Sequence, residues 1–168
     1  MSVIWYSPDM SKQSAGILLY RYRNEVIQFF LVHPGGPFFV RKDLGSWTIC
    51  KGEFQDGEDP YQAAIREFRE ETGYVLLGES IKLDPIKQKG GKIVYAWAME
   101  GDVDPLLIKS NTFKLEWPPK SGRYQLFPEI DRGDWFRLAE AEKKINPAQV
   151  ELLHQLIRIL KLSEDQLL

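Results

Sequence analysis

Glu67, Glu70 and Glu71 lie within five residues of one another, inside the stretch GEFQDGEDPYQAAIREFREETGY that runs from Gly52 to Tyr74. At about 100° per residue, a helix places all three within roughly 100° of each other on its surface. Like charges at this spacing repel, and these sit late in the helix, where the macrodipole disfavours negative charge. Only Arg66, four residues before Glu70, is placed to pair with one of them. A solvated acidic face is the common origin of such a pattern. Three features favour a cation site instead: the late position, the sparse neutralisation, and the acidic turn Gly52 to Glu58 that leads in. Clustered oxygen donors with few nitrogen or sulfur donors nearby suit a hard divalent cation, Mg²⁺ or Mn²⁺. Such ions serve phosphate chemistry by neutralising phosphate charge and orienting an attacking water.

The helix carrying these glutamates has readable ends. Asp59 is an N-cap, Pro60 suits the first helical position, and Gln62 completes a capping-box pattern. Gly73 closes it as a left-handed residue. Tyr61, Ile65, Phe68 and Thr72 are expected on a core stripe near the side opposite the glutamates, with Gln62 and Arg69 toward solvent. Around it, Ala15–Tyr22 and Val26–His33 read as a hairpin turning at Arg23-Asn24-Glu25. His33–Pro37 reads as a loop, because two prolines and two glycines oppose regular structure. Ser46–Cys50, Val75–Leu77, Ile93–Met99 and Asp134–Phe136 read as strands. The connection from Asp104 to Asp134 is long enough to be functional or to hide short elements. A short helix is expected over Ala139–Lys144. Asn146-Pro147 opens a last helix to about Leu162, with Val150, Leu153, Leu156, Ile157 and Leu160 on its apolar face. The apolar Val3–Tyr6 patch suits a short strand or a partner contact. The mixture gives a layered sandwich of the α+β class, with α/β as the alternative.

A length of 168 residues suits one domain spanning 1–168 with a sizeable core. Hydrophobic and charged contents of 43% and 27% are ordinary for a globular chain, and the net charge of −2 supplies no global field toward nucleic acid or membrane. Cys50 is the single cysteine, so no intrachain disulfide forms, which fits a reducing compartment. No signal-peptide pattern and no apolar run of ~18 residues is present, so a soluble, cytoplasmic protein is expected.

Gly52, Glu58, Arg66, Glu67, Phe68, Glu70, Glu71 and Gly73 occupy the fixed places of G-x5-E-x7-R-E-U-x-E-E-x-G-U, where U is bulky and apolar. The stretch 52–74 therefore resembles the Nudix box, with one mild departure: Tyr74 is aromatic where an aliphatic residue is usual. The resemblance implies an αβα sandwich with a mixed sheet between helices. It also implies Mg²⁺-dependent hydrolysis (Mn²⁺ as the alternative) of a nucleoside diphosphate linked to another moiety. By that resemblance Glu67, Glu70 and Glu71 are metal ligands, joined by the Gly52 carbonyl. Arg66 orients a box glutamate, Glu58 holds the loop, and the glutamate acting as base is left unassigned. A further carboxylate from outside the box is expected among Glu116, Glu129 and Asp131. Glu129 is preferred because it stands six residues before Trp135 in EIDRGDW.

The substrate clues lie elsewhere. SWTICKGE resembles the entry to the box in diadenosine polyphosphate hydrolases and brings in Lys51. Cys50 stands where those carry proline and is expected to be a buried small residue. QKGGKIVYAW, with Lys89 and Lys92, also resembles that subgroup; its lysines face a polyphosphate or a solvated turn. EWPPKSGR combines Trp117 with Lys120 and Arg123, a pattern suited to stacking a base and holding its phosphates, or to a structural loop. Phe38, Phe39, Arg41 and Lys42 are expected near the mouth, and His33 ends a strand there with a phosphate contact as one possible role. HPGGP with EWPP and PEIDR resembles a bacterial group of predicted NTP pyrophosphohydrolases. The expected partner is a small nucleotide, most readily a dinucleoside polyphosphate or a (d)NTP, with no membrane. Two alternatives stand beside this: a nucleotide-sensing module without hydrolysis, and removal of pyrophosphate from an RNA 5′ end. The basic, aromatic-interleaved stripe of an RNA binder is not present. Oligomeric state and scissile bond are not written in these motifs.

Overall fold

The computed structural model describes residues 12–168, so the Val3–Tyr6 patch lies outside the described residues. The sheet is organised by β1 (Gln13–Arg23) and β6 (Ile93–Glu100), which run parallel from Gln13↔Ile93 to Tyr20↔Glu100. β2 (Val26–Pro34) returns antiparallel from β1, with Arg23 opposite Val26. The two residues between them, Asn24 and Glu25, both take positive φ, at 52° and 68°. That is the turn whose twist matches a two-residue hairpin. β3 (Cys50–Glu53) pairs with the first half of β1, Ile17↔Cys50 to Ser14↔Glu53. β4 (Ser80–Lys82) and β5 (Ile86–Lys87) line the other side of β6, and β9 (Ile130–Phe136) lies antiparallel beside β2. The parallel β1–β6 pairing among antiparallel strand pairs makes the sheet mixed, as expected.

Strand alternation divides the core into two layers. Ala15, Ile17 and Leu19 of β1 pack with Ala63, Ala64 and Phe68 of α1 (Pro60–Thr72). Leu18 and Tyr20 face the other way, onto Ala141 of α2 (Leu138–Lys144) and Leu152, Leu153 and Leu156 of α3 (Val150–Leu160). A short α4 (Glu164–Leu167) follows. Each fully buried side chain such as Phe68 or Leu152 contributes about 1.5–3 kcal/mol of transfer free energy, which fixes α1 against the sheet and with it every residue it carries. No helix among the described residues is long and apolar enough to cross a membrane.

Several local expectations change. The strand read at Ser46–Cys50 begins at Cys50: the Ile49 N–H is taken by the Gln149 Oε1 at 3.0 Å, and Trp47 and Thr48 make only single bridges. Val75–Leu77 is not a strand, because the free edge of β6 is filled by Ser80–Lys82, and Val75 and Leu77 are left exposed. β2 extends through His33 and Pro34; proline is tolerated there because the pairing shifts at that step. The Asp104–Asp134 connection holds a 3₁₀ turn at Pro105–Leu107 and a separate hairpin, β7 (Thr112–Glu116) with β8 (Tyr124–Pro128). Asn146 caps a 3₁₀ turn before α3, and the buried face of α3 includes Leu152 beside the expected leucines.

Candidate active site

Asp59 accepts the Gln62 N–H at 3.0 Å and Gly73 ends α1 at φ 80°, as the sequence indicates. The reciprocal bond from the Gln62 side chain, which would complete a capping box, is not formed among the described residues. The larger correction concerns the faces of α1. Glu67 and Glu71 are buried, at 8% and 6% exposure, together with Ala63, Ala64, Phe68 and Thr72. Glu71 follows Phe68 by three residues, so the two are surface neighbours rather than opposites. The carboxylate stripe and the core stripe abut, and two of the three glutamates are pressed toward β3.

β3 accommodates them through Gly52. A Cβ placed there would lie 2.1 Å from the Glu67 carboxyl carbon, so the carboxylate fills the space a side chain would take. Arg66 gathers the acids: its Nη1 lies 3.0 Å from Glu67 and 3.3 Å from Glu70, and its Nη2 lies 3.0 Å from Glu58. This does not neutralise the group. Burial, then Glu70, holds the Glu67 carboxyl above its ordinary value. Burial, then Glu67, pushes Glu71 well above it, with Glu129 adding to the effect. Glu71 Oε2 is buried and has no hydrogen-bond partner among the described residues. A buried carboxylate oxygen without a partner is costly.

These features fit a divalent cation: the donors are hard oxygens, one of them orphaned, and their mutual repulsion is what a positive charge relieves. Among the described residues no three acids, histidines or cysteines converge as a ready-made shell. Arg66 Nη1 instead bridges Glu67 and Glu70, so holding an ion there requires these side chains to turn.

Of the three candidate acids outside the box, Glu129 is the one near it. Glu129 is itself exposed, and partial desolvation of its carboxyl, then Glu70, raise it above its ordinary value. Backbone bonds explain the proximity: Asn111 N–H donates to the Glu70 carbonyl, Glu129 N–H to Asn111, and Gly35 N–H to Glu129, at 3.1, 2.8 and 2.9 Å. Asn111 acts through its backbone, so no side-chain signal in the sequence marks it. The other two candidates are engaged elsewhere, Glu116 with the Gly122 N–H and Asp131 with His33. His33 is fully buried, with both ring nitrogens bonded within the protein, so the phosphate contact considered for it is not available.

The substrate candidates divide into two groups. Phe38, 58% exposed, meets Trp117 edge-on with ring centres 5.5 Å apart, which brings together two residues distant in sequence. Lys120 and Arg123 sit exposed at the tip of the β7–β8 hairpin, where the Trp117 N–H donates to the Arg123 carbonyl. Lys51 and Lys92 form the second group. Burial, then Lys92, lowers the Lys51 ammonium, while Glu71, Glu53 and Glu67 oppose that shift. Lys92 pairs with Glu53 at 2.9 Å. A cavity of about 640 Å³ lined by Arg21, Tyr74, Asp102 and Trp135 contains none of the box carboxylates.

Cys50 is fully buried as expected. Burial first, then the Glu71 carboxylate, pushes its thiol well above its ordinary value. The folded protein is therefore expected to resist alkylation by iodoacetamide at neutral pH, and to react only in denaturant. Rapid labelling of the native protein would show that this interface opens.

A profile of the NUDIX domain family matches residues 10–156. The octanoyltransferase of Myxococcus xanthus is 31% identical over 101 residues, which cover 60% of this chain and 25% of that protein. The asymmetrical bis(5'-nucleosyl)-tetraphosphatase of Caenorhabditis elegans is 38% identical over 63 residues, 38% of this chain and 41% of that protein. The chain thus spans about a quarter to two fifths of the length of these curated relatives. Among solved structures, an Ap4A hydrolase binary complex from C. elegans is 26% identical with a TM-score of 0.58, covering 89% of this chain and 98% of that one.

Proposed function

The chain belongs to the Nudix family, and on that premise we propose that it is a Mg²⁺-dependent pyrophosphohydrolase acting on a dinucleoside polyphosphate or a (d)NTP. The observation that carries this reading is the buried Glu71 Oε2, without a partner among the described residues, beside Glu67 and the bare Gly52. Glu67, Glu70, Glu71, the Gly52 carbonyl and Glu129 would hold the ion. When bound, a divalent cation supplies positive charge against the phosphate oxygens and lowers the pKa of a water. Arg66 orients Glu67 and Glu70 through its bridging Nη1. One of the carboxylates accepts a proton as the water oxygen bonds to phosphorus and the bridging P–O bond breaks. Those with raised carboxyl values are better bases than free glutamate. Lys51, Lys92, Lys120 and Arg123 are the cations for the remaining phosphates. Phe38 and Trp117 offer the nucleobase an aromatic surface.

The dinucleoside polyphosphate reading draws on the C. elegans sequence match and the C. elegans structure match above, whose names describe that activity. The test is hydrolysis by the purified protein with Mg²⁺ across diadenosine polyphosphates, NTPs, oxidised dNTPs, ADP-ribose, nucleotide sugars and triphosphorylated RNA. Turnover of a dinucleoside polyphosphate or a (d)NTP above the rest is expected. Preference for the RNA would move the assignment to RNA 5′ ends, and turnover of none would leave a sensing module. With the best substrate, Trp117→Ala is expected to raise KM about tenfold, a stacking loss of about 1.4 kcal/mol, with kcat nearly unchanged. An unaltered KM would remove Trp117 from the base site.

A further inference from the structure

We propose that a cross-tie between the buried His33 and Asp131 is a positioning device that aims Glu129 at the box carboxylates and steadies the loop bearing Phe38. For its catalytic readout this inference rests on the hydrolase reading; its structural readout is independent of it. The β2–β9 ladder runs in step from Phe29↔Phe136 to His33↔Arg132, then jumps to Pro34↔Ile130. Asp131 is the extra residue of a β-bulge, a feature that re-aims side chains beside active sites. Pro34 has no N–H to lose at that step. The bulge delivers the Asp131 carboxylate to within 2.8 Å of His33 Nδ1. The other ring nitrogen, Nε2, lies 2.7 Å from the Lys42 carbonyl, four residues beyond Phe38. The ring is fully buried and meets Trp47 edge-on at 5.3 Å.

One imidazole therefore ties β2 to two segments: the start of β9, two residues after Glu129, and the end of the Phe38 loop. The contacts around Glu129 are close. Gly35 donates to its carbonyl at 2.9 Å, and a Cβ on Gly35 would lie 2.0 Å from the Pro128 carbonyl oxygen. A Cβ on Gly36 would meet Phe113 at 2.9 Å. With so little slack, a relaxed bulge shifts Glu129 directly.

Asp131→Ala cuts only the Glu129 arm, while Asp131→Asn keeps a partner for Nδ1, since an amide offers both a donor and an acceptor. In Asp131→Ala the Gly35 and Glu129 amides are expected to exchange hydrogen about tenfold faster or more. Its kcat is expected to fall about tenfold with KM within about threefold. Asp131→Asn restores both quantities to near wild type. His33→Ala cuts both arms and adds a rise in KM; should it not fold, the two Asp131 variants decide. Unchanged exchange in Asp131→Ala, a KM effect without a kcat effect, or an Asn variant as impaired as the Ala variant overturns the proposal. If the wild type hydrolyses no nucleotide, the exchange comparison alone decides it.

Discussion

Glu71→Gln is expected to lower kcat/KM at least about 100-fold, roughly 2.7 kcal/mol of barrier, while making the metal-free protein more stable. The two effects share one cause. Glu71 is buried against Cys50 and Glu67, with one oxygen lacking a partner among the described residues. Ionised and without a cation it destabilises the fold; with a cation it would become a ligand. Replacing the charge with an amide removes the repulsion and the ligand together, and the gain should be about 1–3 kcal/mol. The pH dependence has a definite sign. The folded-state carboxyl lies above its ordinary value of 4.5, so folding favours the protonated form. The associated stability is fully present below the unfolded value and is lost as pH rises through the folded one. Glu67 and Glu129 shift the same way. In EDTA, wild-type thermal stability should therefore fall from about pH 4.5 toward neutrality more steeply than that of Glu71→Gln. Parallel melting curves, or a fully active variant, would remove Glu71 from the centre of the site.

Gly52→Ala should separate activity from stability in the other direction. The added methyl would sit 2.1 Å from the Glu67 carboxyl carbon. What must yield is the far end of a flexible side chain, not backbone, so the sheet should survive and Tm should change by only a few degrees, on the order of 1 kcal/mol. Glu67, however, can no longer occupy its place against β3, and its bond to Arg66 goes with it. A loss of about 10- to 100-fold in kcat/KM is expected, because displacement of about 1 Å is enough for such an effect. Circular dichroism with steady-state kinetics checks both halves. A variant that melts early instead would mean Gly52 serves packing rather than the carboxylate.

These two residues also show what the sequence made legible. The box spacing marked Gly52 and Glu71, and the caps at Asp59 and Gly73 bounded the helix to the residue. Angular arithmetic alone misjudged the depth of the glutamates, because it assigned charged residues to the side away from the core. A functional carboxylate is the case where that assumption fails. Glu129 was legible through its distance from Trp135; its approach to the box depends on Asn111 and Gly35, which act through backbone atoms. Phe38 and Trp117 were each marked by local composition, but their meeting depends on a hairpin, β7–β8, hidden in a proline-broken stretch. Val75–Leu77 had strand-like residues without a vacant sheet edge to join. The bulge at Asp131 has no sequence signature, since it arises from pairing between strands distant in the chain.

If the box carboxylates hold a divalent cation during pyrophosphate hydrolysis, the decisive quantity is the turnover of the best nucleotide substrate by metal-stripped protein as Mg²⁺ is titrated back. No turnover is expected in EDTA, with a saturable recovery on adding Mg²⁺ and, at the same Mg²⁺ concentrations, a recovery in Glu71→Gln that stays at least about 100-fold lower. Undiminished hydrolysis in EDTA, or equal recovery by Glu71→Gln, would show that these carboxylates do not act through a bound cation.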